Sequence, residues 1–253
     1  MRALRSAFAG AALAVGLLLG VAPGANALTS IDDYLFSLSV DGAVVQDSLY
    51  GLPVVETYDP ATHTFGYTLT APVVGDDWSI DSWSSAYDTD PFVTNNIVLT
   101  NNSAVAQNFT ISAALLIPAF AYNQVVFSSV GLTATDSNGN GSLSVTSPAL
   151  FEGFVNAPAV TLLSLLDPVS LTQANCSPFP NTNGCSATTS DGIVLQALPA
   201  GVATLIGIKL QFTLSPGDSI GITSRFEIVP EPTTLLLVGA GLIGLAVTRR
   251  RSA

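Results

Sequence analysis

The stretch VGDDWSIDSWSSAYDTDP, residues 74–91, gathers the ingredients of sugar chemistry. Asp76, Asp77, Asp81, Asp88 and Asp90 supply carboxylates, and Trp78, Trp83 and Tyr87 supply flat rings with a polar edge. A glycosidase uses such a set: one carboxyl as acid, a second as base or nucleophile, and a ring as platform for the sugar. A module that holds sugars without cutting them needs little more than the rings. A plainer reading competes with both. It packs Trp78, Trp83 and Tyr87 into a core or over a strand edge and leaves the aspartates to cap turns. We rank that reading first, sugar stacking second and catalysis third.

A second segment has metal-ligand spacing. In DSNGNGSL, Asp136, Asn138 and Asn140 alternate as they do at the start of a calcium loop. A full EF-hand loop ends in a bidentate Glu at its twelfth position, and here that position is Ser147. The alternative is an ordinary turn rich in Asn and Gly, and it ranks ahead of a weak calcium site.

Other catalytic sets are missing. His63, in DPATHTFGY, is the only histidine, and no G-x-S-x-G elbow accompanies it. A triad would need it beside a Ser and an Asp, and we read it first as a turn or hairpin-edge residue; one histidine makes no His-rich zinc site. Cys176 and Cys185, with eight residues between them in NCSPFPNTNGCS, read as one local disulfide in an exported protein. Asn101, Asn108 and Asn175 begin glycosylation sequons, a pattern frequent by chance in so Asn-, Ser- and Thr-rich a chain. Neither a cofactor nor an enzymatic activity is expected.

The elements that position these residues are strands. Ile206, Ile208, Leu210, Phe212 and Leu214 alternate with small or polar residues, a period of two that lines one sheet face. SPGD, residues 215–218, is a turn signal, and Ile220, Ile222, Phe226 and Ile228 continue at even spacing. The expectation is a β-hairpin over 204–229. Segments 34–40, 64–70, 96–100, 109–117, 125–135, 141–147 and 192–198 also read as strands, while 148–168 suits a short helix or a buried strand. Many short strands predict an all-β, antiparallel β-sandwich in one domain spanning 28–229.

The two ends differ from this body. Arg2 and Arg5, an apolar run from Ala7 to Ala22 and Ala25-Asn26-Ala27 make a secretory signal peptide, 1–27, cut after Ala27. That implies export through the Sec translocon. At the other end, Thr233 to Thr248 carries no charge and precedes Arg249, Arg250 and Arg251. Sixteen helical residues span roughly 24 Å, enough for a single transmembrane helix if the Thr residues and Arg stems reach the interface. The arginines would act as a stop-transfer signal and stay inside. Between these ends, 17 acidic residues face only Lys209 and Arg225, a net charge of −15 over 28–229. Such a surface repels phosphate backbones, so nucleic acid is not a partner.

Pro230-Glu231-Pro232, an apolar helix and an Arg cluster, in that order, resemble the PEP-CTERM sorting signal of exported bacterial proteins. The resemblance covers Val229 to Arg251 only, within the sorting segment 230–253. It implies a stay in the inner membrane through the C-terminal helix, processing near the PEP motif by an exosortase, and transfer to the cell surface or extracellular space. It further implies a structural or adhesive role in an exopolysaccharide or biofilm envelope. A carbohydrate-binding module is the alternative.

Overall fold

The computed structural model describes residues 34–62, 64–88, 91–122, 125–156, 160–174, 185–197 and 201–229. The signal segment 1–27, the sorting segment 230–253 with its apolar helix, His63, Asp90 and Cys176 lie outside them. Among the described residues the elements are strands, and no helix is long and apolar enough to cross a membrane. In chain order they are β1 (Tyr34–Val40), β2 (Ala43–Gln46), β3 (Val54–Asp59), β4 (Thr64–Leu69), β5 (Val73–Val74), β6 (Trp78–Asp88), β7 (Phe92–Asn101) and β8 (Gln107–Tyr122). β9 (Val125–Thr135), β10 (Ser142–Ser147), β11 (Phe151–Val155), β12 (Val160–Leu165), β13 (Val169–Ala174), β14 (Ser186–Ala197), β15 (Gly201–Leu214) and β16 (Ser219–Val229) follow.

They form two antiparallel sheets. The first runs β12-β11-β15-β8-β1-β2, with β10 bridging β15 and β13. The second runs β14-β9-β16-β7-β6-β4-β3, with β5 on β6. The expected all-β, two-sheet architecture is therefore present. Alternation does the work: Tyr34, Phe36, Leu38 and Val40 of β1 turn inward while Leu35, Ser37 and Ser39 do not. Ile208, Leu210 and Phe212 face Ile220, Ile222 and Phe226 in one continuous core. Burying so many large apolar side chains, each contributing about 1.5–3 kcal/mol, is the main force holding the sheets together.

One expectation needs correction. The segment 204–229 is not a hairpin. β15 pairs with β8, β10 and β11, while β16 pairs with β7 and β9 in the opposite sheet. The turn 215–218 therefore carries the chain across the core. Alternation states which side chains face inward; it does not state the partner, and an arch between sheets satisfies the same pattern as a hairpin. The turn at 136–141 is likewise an arch, from β9 in one sheet to β10 in the other. The segment 148–168, left open between helix and strand, holds the paired strands β11 and β12.

Candidate functional site

The rings of residues 74–91 are not a sugar platform. Trp78 is 8% exposed, Trp83 2% and Tyr87 1%. The Trp83 indole N–H donates to Asn95 Oδ1 at 2.6 Å, and its ring lies 5.1 Å from that of Phe36. Tyr87 stacks on Tyr34 at 5.4 Å and shares a hydroxyl contact of 3.0 Å with Tyr67. Burial is the main reason the Tyr34 and Tyr87 phenols sit above the ordinary tyrosine range, so both stay protonated. The sequence order Trp83, Ser85, Tyr87 puts these side chains on the inner face of β6, and a bulge after Ile80 resets the alternation. The plain reading of the rings therefore holds, and the residues named for stacking are corrected to core.

Of the described carboxylates of this segment, Asp81 is tied to its own sheet. Asp81 accepts from Ser79 Oγ at 2.8 Å and Thr100 Oγ1 at 2.5 Å on the sheet exterior. Asp77 turns its backbone carbonyl to the Asn102 N–H at 2.8 Å. Among the described residues no three His, Cys, Asp or Glu side chains gather as a metal-holding set. In the 136–141 loop, Asp136 accepts from Gly139 and Gly141 N–H at 2.8 and 3.0 Å. Asn138 Oδ1 accepts from Asn140 N–H and Asn140 Oδ1 from Ser142 N–H, each at 2.8 Å. These side chains spend their oxygens on the loop's own backbone, as turn-forming Asx residues do.

The polar centre that sequence reading missed lies where three arches meet: 101–107, 135–142 and 214–219. Asn101 is fully buried, and its Nδ2 donates to Val105, Leu214 and Ser215 carbonyls at 2.9, 3.0 and 3.1 Å. Its sequon is thereby closed to a glycan. Ser215 Oγ accepts from Ser144 N–H at 2.8 Å and donates to Asp218. Asn138 Nδ2 donates to the Pro216 carbonyl at 2.7 Å, and Gly217, at φ +69, leaves no room there for a Cβ.

Asp218, 0% exposed, has its pKa raised, first by burial and also by the Asp136 charge, with the Ser215 hydrogen bond opposing. Its unfolded value is near 3.8. A carboxyl raised on folding adds stability below that value, and the contribution is lost as pH rises through the folded value. The parent should therefore lose thermal stability relative to Asp218→Asn between pH 3 and pH 7. Parallel melting-temperature profiles for the two proteins over that range would count against an ionisation cost at Asp218.

The outer face of the second sheet carries an open groove of about 680 Å³. One cross-strand row runs Ser190, Gly131, Thr223, Asn96, Ser84, Thr68 through β14, β9, β16, β7, β6 and β4. The adjacent row is Thr188, Thr133, Gly221, Val98 and Ser82. None of the groove's described lining residues is ionisable. The only trace of it in the sequence is that the outward positions of these strands are small and hydroxylated.

Three comparisons bear on identity. Residues 229–251 match the family model of the PEP-CTERM protein-sorting motif, so the chain carries the signal of exported proteins that an exosortase processes at the membrane. No curated protein matches the chain. Among solved structures, TmCBM61 in complex with beta-1,4-galactotriose aligns at 12% identity, over 55% of this chain and 71% of that one, with a TM-score of 0.27. That superposition carries no argument about a ligand here.

Proposed function

We propose that this is a surface or extracellular-matrix protein with a structural or adhesive role in an exopolysaccharide-rich envelope, and that it is not an enzyme. The observation that carries this reading is the sorting motif, which begins as β16 ends at Val229. In this reading the Sec translocon exports the chain and removes 1–27. The apolar run 233–248 then holds it transiently in the inner membrane, with Arg249, Arg250 and Arg251 inside. Pro230 and Pro232 fix their own φ and bias the residue before each toward extended backbone, which suits entry into an exosortase cleft. Outside, the strongly acidic body resists collapse onto anionic surfaces, and Cys176 bridges Cys185.

Replacing Pro230, Glu231 and Pro232 together by Ala should leave full-length protein in the membrane fraction. The parent should appear outside it, starting at Leu28 and ending near Pro230 to Pro232 by intact mass. The same spectrum reads the bridge as a mass two hydrogens lighter than the reduced chain. Release of the triple variant at the parental level would overturn the sorting role of these residues.

A further inference from the structure

We infer that the outer face of the second sheet is a binding groove for a neutral polysaccharide strand, with Gly131 and Gly221 as its floor. The argument starts from the glycines. An interior-strand glycine costs roughly 0.5–1 kcal/mol relative to alanine, so its presence asks for a reason. Gly153 and Gly207 have one inside the fold. A Cβ there would meet the Phe226 ring at 2.7 Å or the Phe154 ring at 2.4 Å.

Gly131 and Gly221 have no such reason. Nothing lies within 4 Å of a Cβ at Gly131, and at Gly221 the nearest atom is at 3.8 Å. Neither has a positive φ. They are diagonal neighbours on adjacent strands, since Gly131 pairs with Thr223 and Gly221 with Thr133. What their missing side chains leave is space on the outside, at the centre of the groove. A strand glycine with no internal cause marks close approach by something else.

The lining names the chemistry of the occupant. Hydroxyl and carboxamide groups of Ser84, Asn96, Thr223 and Ser190 offer both donors and acceptors, as a polyol does. The lining carries no charge, although the body around it holds 17 acids. A polyanion gains nothing from it, and a cationic partner would find its charges elsewhere. A protein interface would need an apolar centre, and the large apolar side chain on these two rows is Val98 alone. The row crosses six strands, about 24 Å at the usual spacing, long enough for several sugar units in a line. With no aromatic ring on the two rows, each site binds weakly, at about millimolar Kd, and affinity comes from many copies along one polymer.

The inference deepens the proposed matrix role and rests on it only for where the polysaccharide comes from. The test is affinity electrophoresis of the full chain purified in detergent, which needs no sorting and so fails independently of it. Gels contain dextran, hydroxyethylcellulose or alginate. At least one neutral polymer should retard the parent, with alginate inert. Gly131→Leu with Gly221→Leu fills the floor and should weaken retardation at least fivefold without lowering the melting temperature. If that pair misfolds, Ser84→Ala with Thr223→Val removes hydroxyls without filling space and should produce a similar loss. A parent that no neutral polymer retards, one retarded equally by alginate, or folded variants that bind like the parent would each overturn the inference.

Discussion

Trp83→Ala should lower the melting temperature by about 10 °C or more, read by calorimetry or thermal circular dichroism. Deleting a buried Trp costs about 3–5 kcal/mol through lost contacts and the cavity left behind. In a domain of this size each kcal/mol is worth roughly 2–4 °C. Trp83 touches both sheets, since Phe36 and Tyr34 of β1 lie 5.1 and 6.1 Å from its ring. The loss also strands Asn95, whose Oδ1 accepts the indole N–H while its Nδ2 already lacks a partner. Trp83→Phe keeps most of the ring and should cost less. A change of only a degree or two in the alanine variant would place Trp83 outside the core. Lost polysaccharide binding by Trp83→Ala would report unfolding, because the ring is buried against Phe36 and Tyr34 of the opposite sheet.

Asn101→Leu should cost about 2–4 kcal/mol, since buried acceptors left without a donor forfeit more than a hydrogen bond's net worth. The carboxamide has two hydrogens for three carbonyls, so one N–H is shared. Its Oδ1 also accepts from Ser103 N–H at 2.9 Å. Asn101→Asp keeps the shape and sets a carboxylate against the Val105, Leu214 and Ser215 carbonyls, so it should be at least as damaging. The exposed neighbour gives the control: Asn102→Ala should stay within about 0.5 kcal/mol. Denaturant unfolding of the three variants separates these outcomes. Equal stability of Asn101→Leu and parent would show that the arches hold without it.

The strands were legible because burial on one face forces a period of two. β1 and β9 begin and end where alternation places them, at 34–40 and 125–135. β6 was not, because its bulge after Ile80 breaks the period and its outward Asp81 and Ser82 look like loop. Pairing was beyond the pattern. Ser215 to Asp218 has the residues of a tight turn whether it joins neighbours or crosses the core. The deciding contacts, from Asn101 and Ser144, come from 70 or more residues away. For the same reason the groove was hidden: Thr68 and Thr223 are row-mates only through three successive pairings.

The sorting signal is written at the end of a central strand, and that has a mechanical meaning. β16 is laced to β9 from Ser219 to Val229 and to β7 from Ser219 to Glu227. A tether attached just past Val229 pulls along this strand, parallel to its axis. Tension then falls in shear on two ladders at once, and neither can open one bond at a time like a zipper. A protein held by this end would meet drag through a strand braced on both of its edges.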